Sequence, residues 1–281
     1  MDSHQFDQAE GLRRMLAGPK PRIFSFLSAD SGEKKSQMLV NLGASLARSG
    51  SGVLLLDAYA SAAGISSHLN IVHDATLMRV ARHECKLEDA VHMMPQGFEI
   101  AALTGSSMSE LMRSESQIFR LCRTFDALAQ LSDVVMVDAE LDEYDTFPLQ
   151  AMIDGEIVVQ VSDSAASIKS AYSIIKRLNA SLGRRPFSVL VTGASDQRAQ
   201  VVYDNMAKAA SRYLAIPLNS IGSVPADEHM TRAARLGTTV VDAFPRAGAS
   251  VAFRRLAGYF ASSGIASPRF GISSSGSNFM A

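Results

Sequence analysis

Compact apolar runs that alternate with longer amphipathic stretches predict an α/β fold: a mostly parallel central sheet with helices on both faces. Two observations carry this expectation. The runs are apolar at successive positions, as strands covered on both faces are. Most are separated by about ten or more residues, enough for a helical crossover between parallel neighbours.

Residues 5–16 place Ala9, Leu12 and Leu16 at helical spacing, and Ala17-Gly18-Pro19-Lys20-Pro21 then breaks the pattern, so 1–21 reads as a short helix on a tether. Strands are predicted at 23–27, 53–56, 98–102, 134–137, 157–161, 187–191 and 219–223, in runs such as Val53-Leu54-Leu55-Leu56 and Val134-Val135-Met136-Val137. Helices are predicted at 35–48, 77–94, 107–131, 165–182, 197–214, 228–236 and 251–261, where apolar residues recur with helical period. The frame thus occupies 22–262. Beyond it, 263–281 contains Ser273-Ser274-Ser275-Gly276-Ser277-Asn278, too small and polar to bury itself, and reads as a loose tail.

With 47% of 281 residues apolar, the chain has material for a full core. Lys and Arg number 27 against 28 Asp and Glu, so no global basic field recruits nucleic acid or an anionic membrane; neither is an expected direct partner. The start, Met1-Asp2-Ser3-His4, lacks the basic and apolar regions of a signal peptide, and no run approaches the roughly 18 apolar residues of a membrane span. A cytoplasmic location is expected. Cys85 and Cys122 lie far apart in predicted helices without CxxC spacing, which suits buried thiols better than a metal centre.

After the first strand comes Ser28-Ala29-Asp30-Ser31-Gly32-Glu33-Lys34-Lys35-Ser36 and then an amphipathic helix, the strand, loop and helix context of a Walker A phosphate loop. In a working GxxxxGK[ST] loop, glycines let backbone N–H groups close on the phosphates, Lys reaches the terminal phosphates and Ser/Thr holds Mg²⁺. Lys35 and Ser36 keep the last two positions, but Ala29 and Lys34 stand where the two glycines belong. The window alone equally describes an ordinary βα turn with solvated lysines.

From Arg22 to about Phe260 the chain resembles the MinD/ParA superfamily in motif order and spacing. Val40-Asn41-Leu42-Gly43 follows Ser36 as the family's Asn-Leu pair does. Val53-Leu54-Leu55-Leu56-Asp57 is similar to the second strand with its switch I aspartate, and Asp133-Val134-Val135-Met136-Val137-Asp138 to the Walker B strand. The segments Val158-Val159-Gln160-Val161-Ser162-Asp163-Ser164, Ser223-Val224-Pro225-Ala226-Asp227 and Ala243-Phe244-Pro245 match its later parts. The resemblance implies a vestigial nucleotide and Mg²⁺ site of Gly32, Lys34, Lys35, Ser36, Asp57 and Asp138, with ATP or ADP and Mg²⁺ as its ligands if it binds any.

Ahead of the fold, Asp7-Gln8-Ala9-Glu10-Gly11-Leu12-Arg13 fits the DQAxxLR motif of FlhG-type proteins, which MinD and ParA lack. That likeness implies a partner-binding helix presenting Asp7, Gln8, Ala9, Leu12 and Arg13 to an FlhF-like GTPase or to another flagellar assembly or regulatory protein.

Four places depart from the superfamily pattern. Tyr59 stands where a water-orienting aspartate is usual, and a phenol with ordinary pKa near 10 is a poor base. Asp30 replaces the signature lysine that reaches across the dimer, and Thr192, followed by Gly193, replaces an adenine-reading Asn. After Asp138 come Ala139-Glu140-Leu141-Asp142-Glu143, then Asp145, whose charge opposes a triphosphate. The resulting expectation is an FlhG-like regulator of flagellar number, placement or assembly that works through protein contacts, with no catalytic residues, as a monomer or an ATP-independent dimer. Two alternatives stay open: an active MinD/ParA-type ATPase, and a ParA-like accessory in partitioning or secretion. Residues 251–260, with Arg254 and Arg255, read as a last helix packed on the sheet rather than a membrane anchor.

Overall fold

The computed structural model describes residues 20–59, 62–105, 115–141 and 144–262. Eight strands form one sheet in the order β3-β4-β2-β5-β1-β6-β7-β8. They are β1 (Arg22–Ser28), β2 (Val53–Asp57), β3 (Val91–Met93), β4 (Glu99–Ala102), β5 (Val134–Asp138), β6 (Glu156–Val161), β7 (Phe187–Thr192) and β8 (Leu218–Val224). Every pairing is parallel except that of β3 with β4. The seven strands expected from the apolar runs are all present, within a residue or two of the expected bounds.

Alternation along each strand divides the core in two. Phe24, Phe26, Leu55, Val134 and Met136 face a layer made by α1 (Gly32–Arg48) and by the last helix, with Leu39, Leu42, Leu46, Phe253, Leu256 and Phe260. Val135, Val137, Ile157, Val159 and Val189 face the opposite layer, where α4 (Glu115–Ala129), α6 (Ala165–Leu182) and α7 (Asp196–Leu214) supply Phe125, Leu128, Ile175, Leu178 and Met206. Short helices α2 (Ile65–His68), α3 (Leu77–Ala81) and α5 (Gln150–Asp154) fill the connections. The chain then continues through α8 (Glu228–Arg235), α9 (Val240–Ala243) and α10 (Gly248–Ser262). The Phe260 ring meets Phe24 edge to face at 4.7 Å between centroids, so α10 belongs to the core, as its sequence suggested. Its Arg254 and Arg255 are bonded to the Pro245 carbonyl and to Asp196, and no helix among the described residues is long and apolar enough to cross a membrane.

One helix expectation is corrected. Instead of a helix over 77–94, α3 stops at Ala81, a 3₁₀ turn covers Glu88–Ala90, and β3 follows. His83 has φ of 62°, in the left-handed region, where a right-handed helix cannot continue. Pro95 and Gly97 then turn the chain, Gly97 with φ of 88°, and the Met94 amide donates to the Phe98 carbonyl at 2.8 Å to close an antiparallel hairpin. Cys85 accordingly sits in a turn and only Cys122 on a helix; both are half-buried free thiols. Of the helix expected at 107–131, residues 115–129 are helical and 107–114 lie outside the described residues. The helix expected at 5–16 and the tail at 263–281 also lie outside them.

Candidate functional site

The strand order turns around β1, which lies between β5 and β6, and this leaves a crevice at the carboxyl ends of the strands. Into that crevice β1 sends the loop carrying Ala29, Asp30 and Ser31, with α1 starting at Gly32. Lys35 and Ser36 lie in the first turn of α1 on its inward face, 2% and 0% exposed. The expectation of solvated lysines therefore fails for Lys35 and holds for Lys34, which is exposed. Asp57 and Asp138 end neighbouring strands and are register partners, which puts two buried carboxylates side by side under the loop.

These groups satisfy one another. The Lys35 ammonium pairs with Asp138 Oδ1 at 2.7 Å and donates to the Ala139 carbonyl at 2.5 Å. Ser36 Oγ lies 3.2 Å from Asp138 Oδ2 and 2.8 Å from the Ala63 carbonyl oxygen. The Ile65 amide donates to Asp138 Oδ2 at 3.0 Å, and the Ser66 amide to Asp57 Oδ2 at 3.0 Å. Asp57 receives no cation among the described residues. Burial, reinforced by the neighbouring Asp138 and opposed by Ser66 and the Tyr59 amide, pushes its carboxyl up to about 6. Ser66 also meets His73 Nε2 at 2.9 Å, and burial lowers His73 to about 4, with His92 adding to the effect.

The segment after Asp57 lies directly on the loop. A Cβ on Gly32 would come within 2.9 Å of Ala63 Cβ, and one on Gly64 within 2.9 Å of Asp57 Oδ2, so both glycines permit backbone contacts that any side chain would block. Tyr59 packs half-buried against the core layer that holds α4 and α6.

Asp30 turns inward. Its carboxylate accepts from Ser162 Oγ at 3.2 Å and from Ser167 Oγ at 3.0 Å, which fastens the loop to the start of α6. Asp30 also lines two cavities at once. The smaller, of about 230 Å³, includes Gly32, Lys35 and Glu140. The larger, of about 450 Å³, opens between the ends of β6, β7 and β8, beside Gln160, Thr192, Gly193 and Pro225. Of the acids expected after Asp138, Asp145 is paired with Arg177 at 3.2 Å, while Asp142 and Glu143 lie outside the described residues.

The structure brings Lys35, Ser36, Asp57 and Asp138 together, sets Gly32 against Ala63 and leaves Lys34 exposed. Sequence reasoning missed Ala63, Ser66, Ser162, Ser167 and the amide of Gln160. A signal existed only for Ser162 and Ser167, which belong to a serine-rich turn after a strand. Asp7, Gln8, Ala9, Leu12 and Arg13 lie outside the described residues.

The donor set alone suits a magnesium nucleotide: a hydroxyl and a carboxylate 3.2 Å apart, with a lysine beside them. In this structure its surroundings close on it. The lysine is already matched by a carboxylate and a carbonyl, residues 63–66 lie on the loop, and Asp30 stands between the two cavities.

The parallel sheet with a strand, loop and helix site at the β1 crevice defines a P-loop protein of the MinD/ParA class. Solved structures with this fold include the MinD cell division protein of Aquifex aeolicus, with TM-score 0.62 and 18% identity over 88% of this chain and 98% of that one. A ParA family ATPase from Chlorobium tepidum matches with TM-score 0.62 and 17% identity over 84% and 98%. MinD of Pyrococcus horikoshii, solved with Mg-ADP, has TM-score 0.60 and 17% identity over 84% and 94%. No protein-family model matches the chain. The antiactivator FleN of Pseudomonas aeruginosa is 30% identical over 237 residues, 84% of this chain and 85% of FleN. The chain belongs to the FlhG-like family, which includes FleN, within the MinD/ParA superfamily. An uncharacterised ATP-binding protein of Methanocaldococcus jannaschii is 27% identical over 232 residues, 82% of this chain and 84% of its own.

Proposed function

We propose that this FlhG-like protein regulates flagellar number, placement or assembly through protein contacts and does not turn over ATP. The observation that carries the reading is the closed state of the phosphate loop: Lys35 and Ser36 are satisfied by Asp138, Ala139 and Ala63, and Asp30 takes the place of a cation. The name of the relative FleN, an antiactivator, supports a role in restraining another protein. The partner is an FlhF-like GTPase or another flagellar assembly or regulatory protein, engaged by the segment carrying Asp7, Gln8, Ala9, Leu12 and Arg13. In helix-in-groove recognition Leu12 supplies an apolar anchor and Arg13 an ionic one.

The test is titration of an FlhF-like GTPase with the natural protein and with the double variant Leu12→Ala, Arg13→Ala, reading GTP hydrolysis and complex formation. Loss of both, with the melting temperature unchanged, is the expected result. A large drop in melting temperature would make the segment part of the core and end the recognition reading.

The competing ATPase reading rests on the retained grouping of Lys35, Ser36 and Asp138. It requires phosphate release from Mg-ATP above background that disappears in Lys35→Ala. We expect background release with and without partner.

A further inference from the structure

We infer that His73 and His92 form an open site for one divalent transition-metal ion of the zinc class, which joins the edge strand β3 to the segment lying on the phosphate loop. The site shares no ligand with the group of Lys35, Ser36, Asp57 and Asp138 and does not depend on nucleotide. His73 lies in the connection from α2 to α3, and His92 is the middle residue of β3. Their rings are 5.1 Å apart between centroids and inclined at 54°, too steeply for a stack. Each has a buried ring nitrogen with no hydrogen-bond partner among the described residues, Nδ1 of His73 and Nε2 of His92. Buried polar atoms are almost always satisfied, so two orphans on neighbouring rings call for one ligand shared between them.

Geometry and protonation both suit a metal. Zinc–nitrogen bonds of about 2.0–2.1 Å meeting at a tetrahedral angle put two imidazole centres about 5 Å apart, which matches the separation of these rings. The second nitrogen of His73, Nε2, lies 2.9 Å from Ser66 Oγ. With its proton on Nε2, His73 donates to that hydroxyl and keeps a lone pair on Nδ1. The other tautomer would bury an N–H without an acceptor. Metal-binding histidines are oriented in just this way, by a hydrogen bond through the nitrogen that does not bind the metal. Burial lowers His73 to about 4, so the ring is neutral at pH 7 and loses no proton on binding. No group of three or more His, Cys, Asp or Glu suited to a metal occurs among the described residues, so water completes the coordination and the site is open. Imidazole nitrogen favours zinc, nickel or copper over magnesium and calcium, which take oxygen ligands. Because the Ser66 amide also donates to Asp57 at 3.0 Å, a bound ion braces the segment that closes on the loop.

Isothermal titration of the chelator-treated full chain with Zn²⁺, in the absence and presence of excess Mg²⁺, tests the assignment. Zn²⁺ should bind and Mg²⁺ should not displace it. His73→Ala and His92→Ala should each weaken Zn²⁺ at least tenfold, and Ser66→Ala about tenfold through the lost orientation of His73. His83→Asn, at an exposed position outside the site, should leave the affinity unchanged. Should a substitution prevent folding, the imidazole NMR resonances of the natural protein decide instead: Zn²⁺ must shift those of His73 and His92 and leave those of His83 and His229 in place. The inference is overturned by no Zn²⁺ binding at submillimolar concentration, by displacement with Mg²⁺, by affinity kept in either the His73 or the His92 variant, or by Zn²⁺ shifts confined to other histidines.

Discussion

Asp57 concentrates the electrostatic cost of the site in one side chain. It is 3% exposed, ends a strand beside the buried Asp138 and has no cation among the described residues. Its carboxyl is raised from 3.8 to about 6, so the folded state binds a proton that the unfolded state has released. By linkage, the favourable contribution is complete below 3.8 and disappears as pH rises to about 6. At neutral pH the ionised group costs about 3 kcal/mol relative to an unperturbed carboxylate. His73 acts with the opposite sign. Lowered from 6.5 to about 4, it contributes stability that is present above 6.5 and lost as pH falls through 4. Asp57→Asn separates the two because His73 is common to both proteins. The variant should unfold later than the natural protein above pH 6, by up to about 3 kcal/mol in urea titrations, and lose that advantage near pH 4. Parallel stability profiles from pH 4 to 7 would remove Asp57 as their cause. At this scale the sequence was readable for residues that carry a motif letter, such as Lys35, Ser36, Asp57 and Asp138. It was silent on Ala63, whose role is played by a backbone carbonyl that any residue possesses.

Elements were legible where burial imposes a pattern. Strands covered on both faces must be apolar throughout, and β1, β2, β5, β6 and β7 were plain for that reason. The edge strand β3 is three residues long with none buried, so no such pattern marks it; only Pro95 and Gly97 betray the turn that follows. Contacts between elements were less readable still. Asn41 matched a family pair in sequence, and the structure shows a physical reason for an amide there. It is 5% exposed on α1, its Oδ1 accepts from the Val240 amide at 2.7 Å and its Nδ2 donates to the Gln37 carbonyl at 2.7 Å. One side chain therefore ties α1 to the start of α9. Asn41→Leu keeps the volume and strands the buried Val240 N–H, at a cost of about 1–3 kcal/mol. At about 2–4 °C per kcal/mol for a domain of this size, the melting temperature should fall by roughly 2–12 °C. An unchanged melting temperature would mean that α9 finds another acceptor without loss.

At the scale of the whole molecule, we expect the charge at position 30 to decide whether two copies close over nucleotide. The family resemblance implies a dimer that meets face to face over two nucleotides, with the residue at position 30 reaching the partner's phosphates. Here that residue is an aspartate turned inward onto Ser162 and Ser167. A unit charge against another at about 4 Å is worth roughly 4 kcal/mol at an effective dielectric near 20, so replacing attraction by repulsion is a swing of about 8 kcal/mol. Even a quarter of that, about 2 kcal/mol, weakens an ATP-dependent dimer more than tenfold. Lys34 offsets part of the change by lining the same cavity, although its side chain stands where a glycine would let the backbone approach a phosphate. We therefore expect a monomer, or a dimer whose mass does not respond to ATP. Size-exclusion chromatography with light scattering, without nucleotide and with a non-hydrolysable ATP analogue, reads this directly for the natural protein and for Asp30→Lys, Lys34→Gly, Tyr59→Asp. The natural protein should keep one mass in both conditions, and the triple variant should gain an analogue-dependent dimer. If the natural protein dimerises only with the analogue, nucleotide still controls assembly, and the inward-facing Asp30 does not prevent closure.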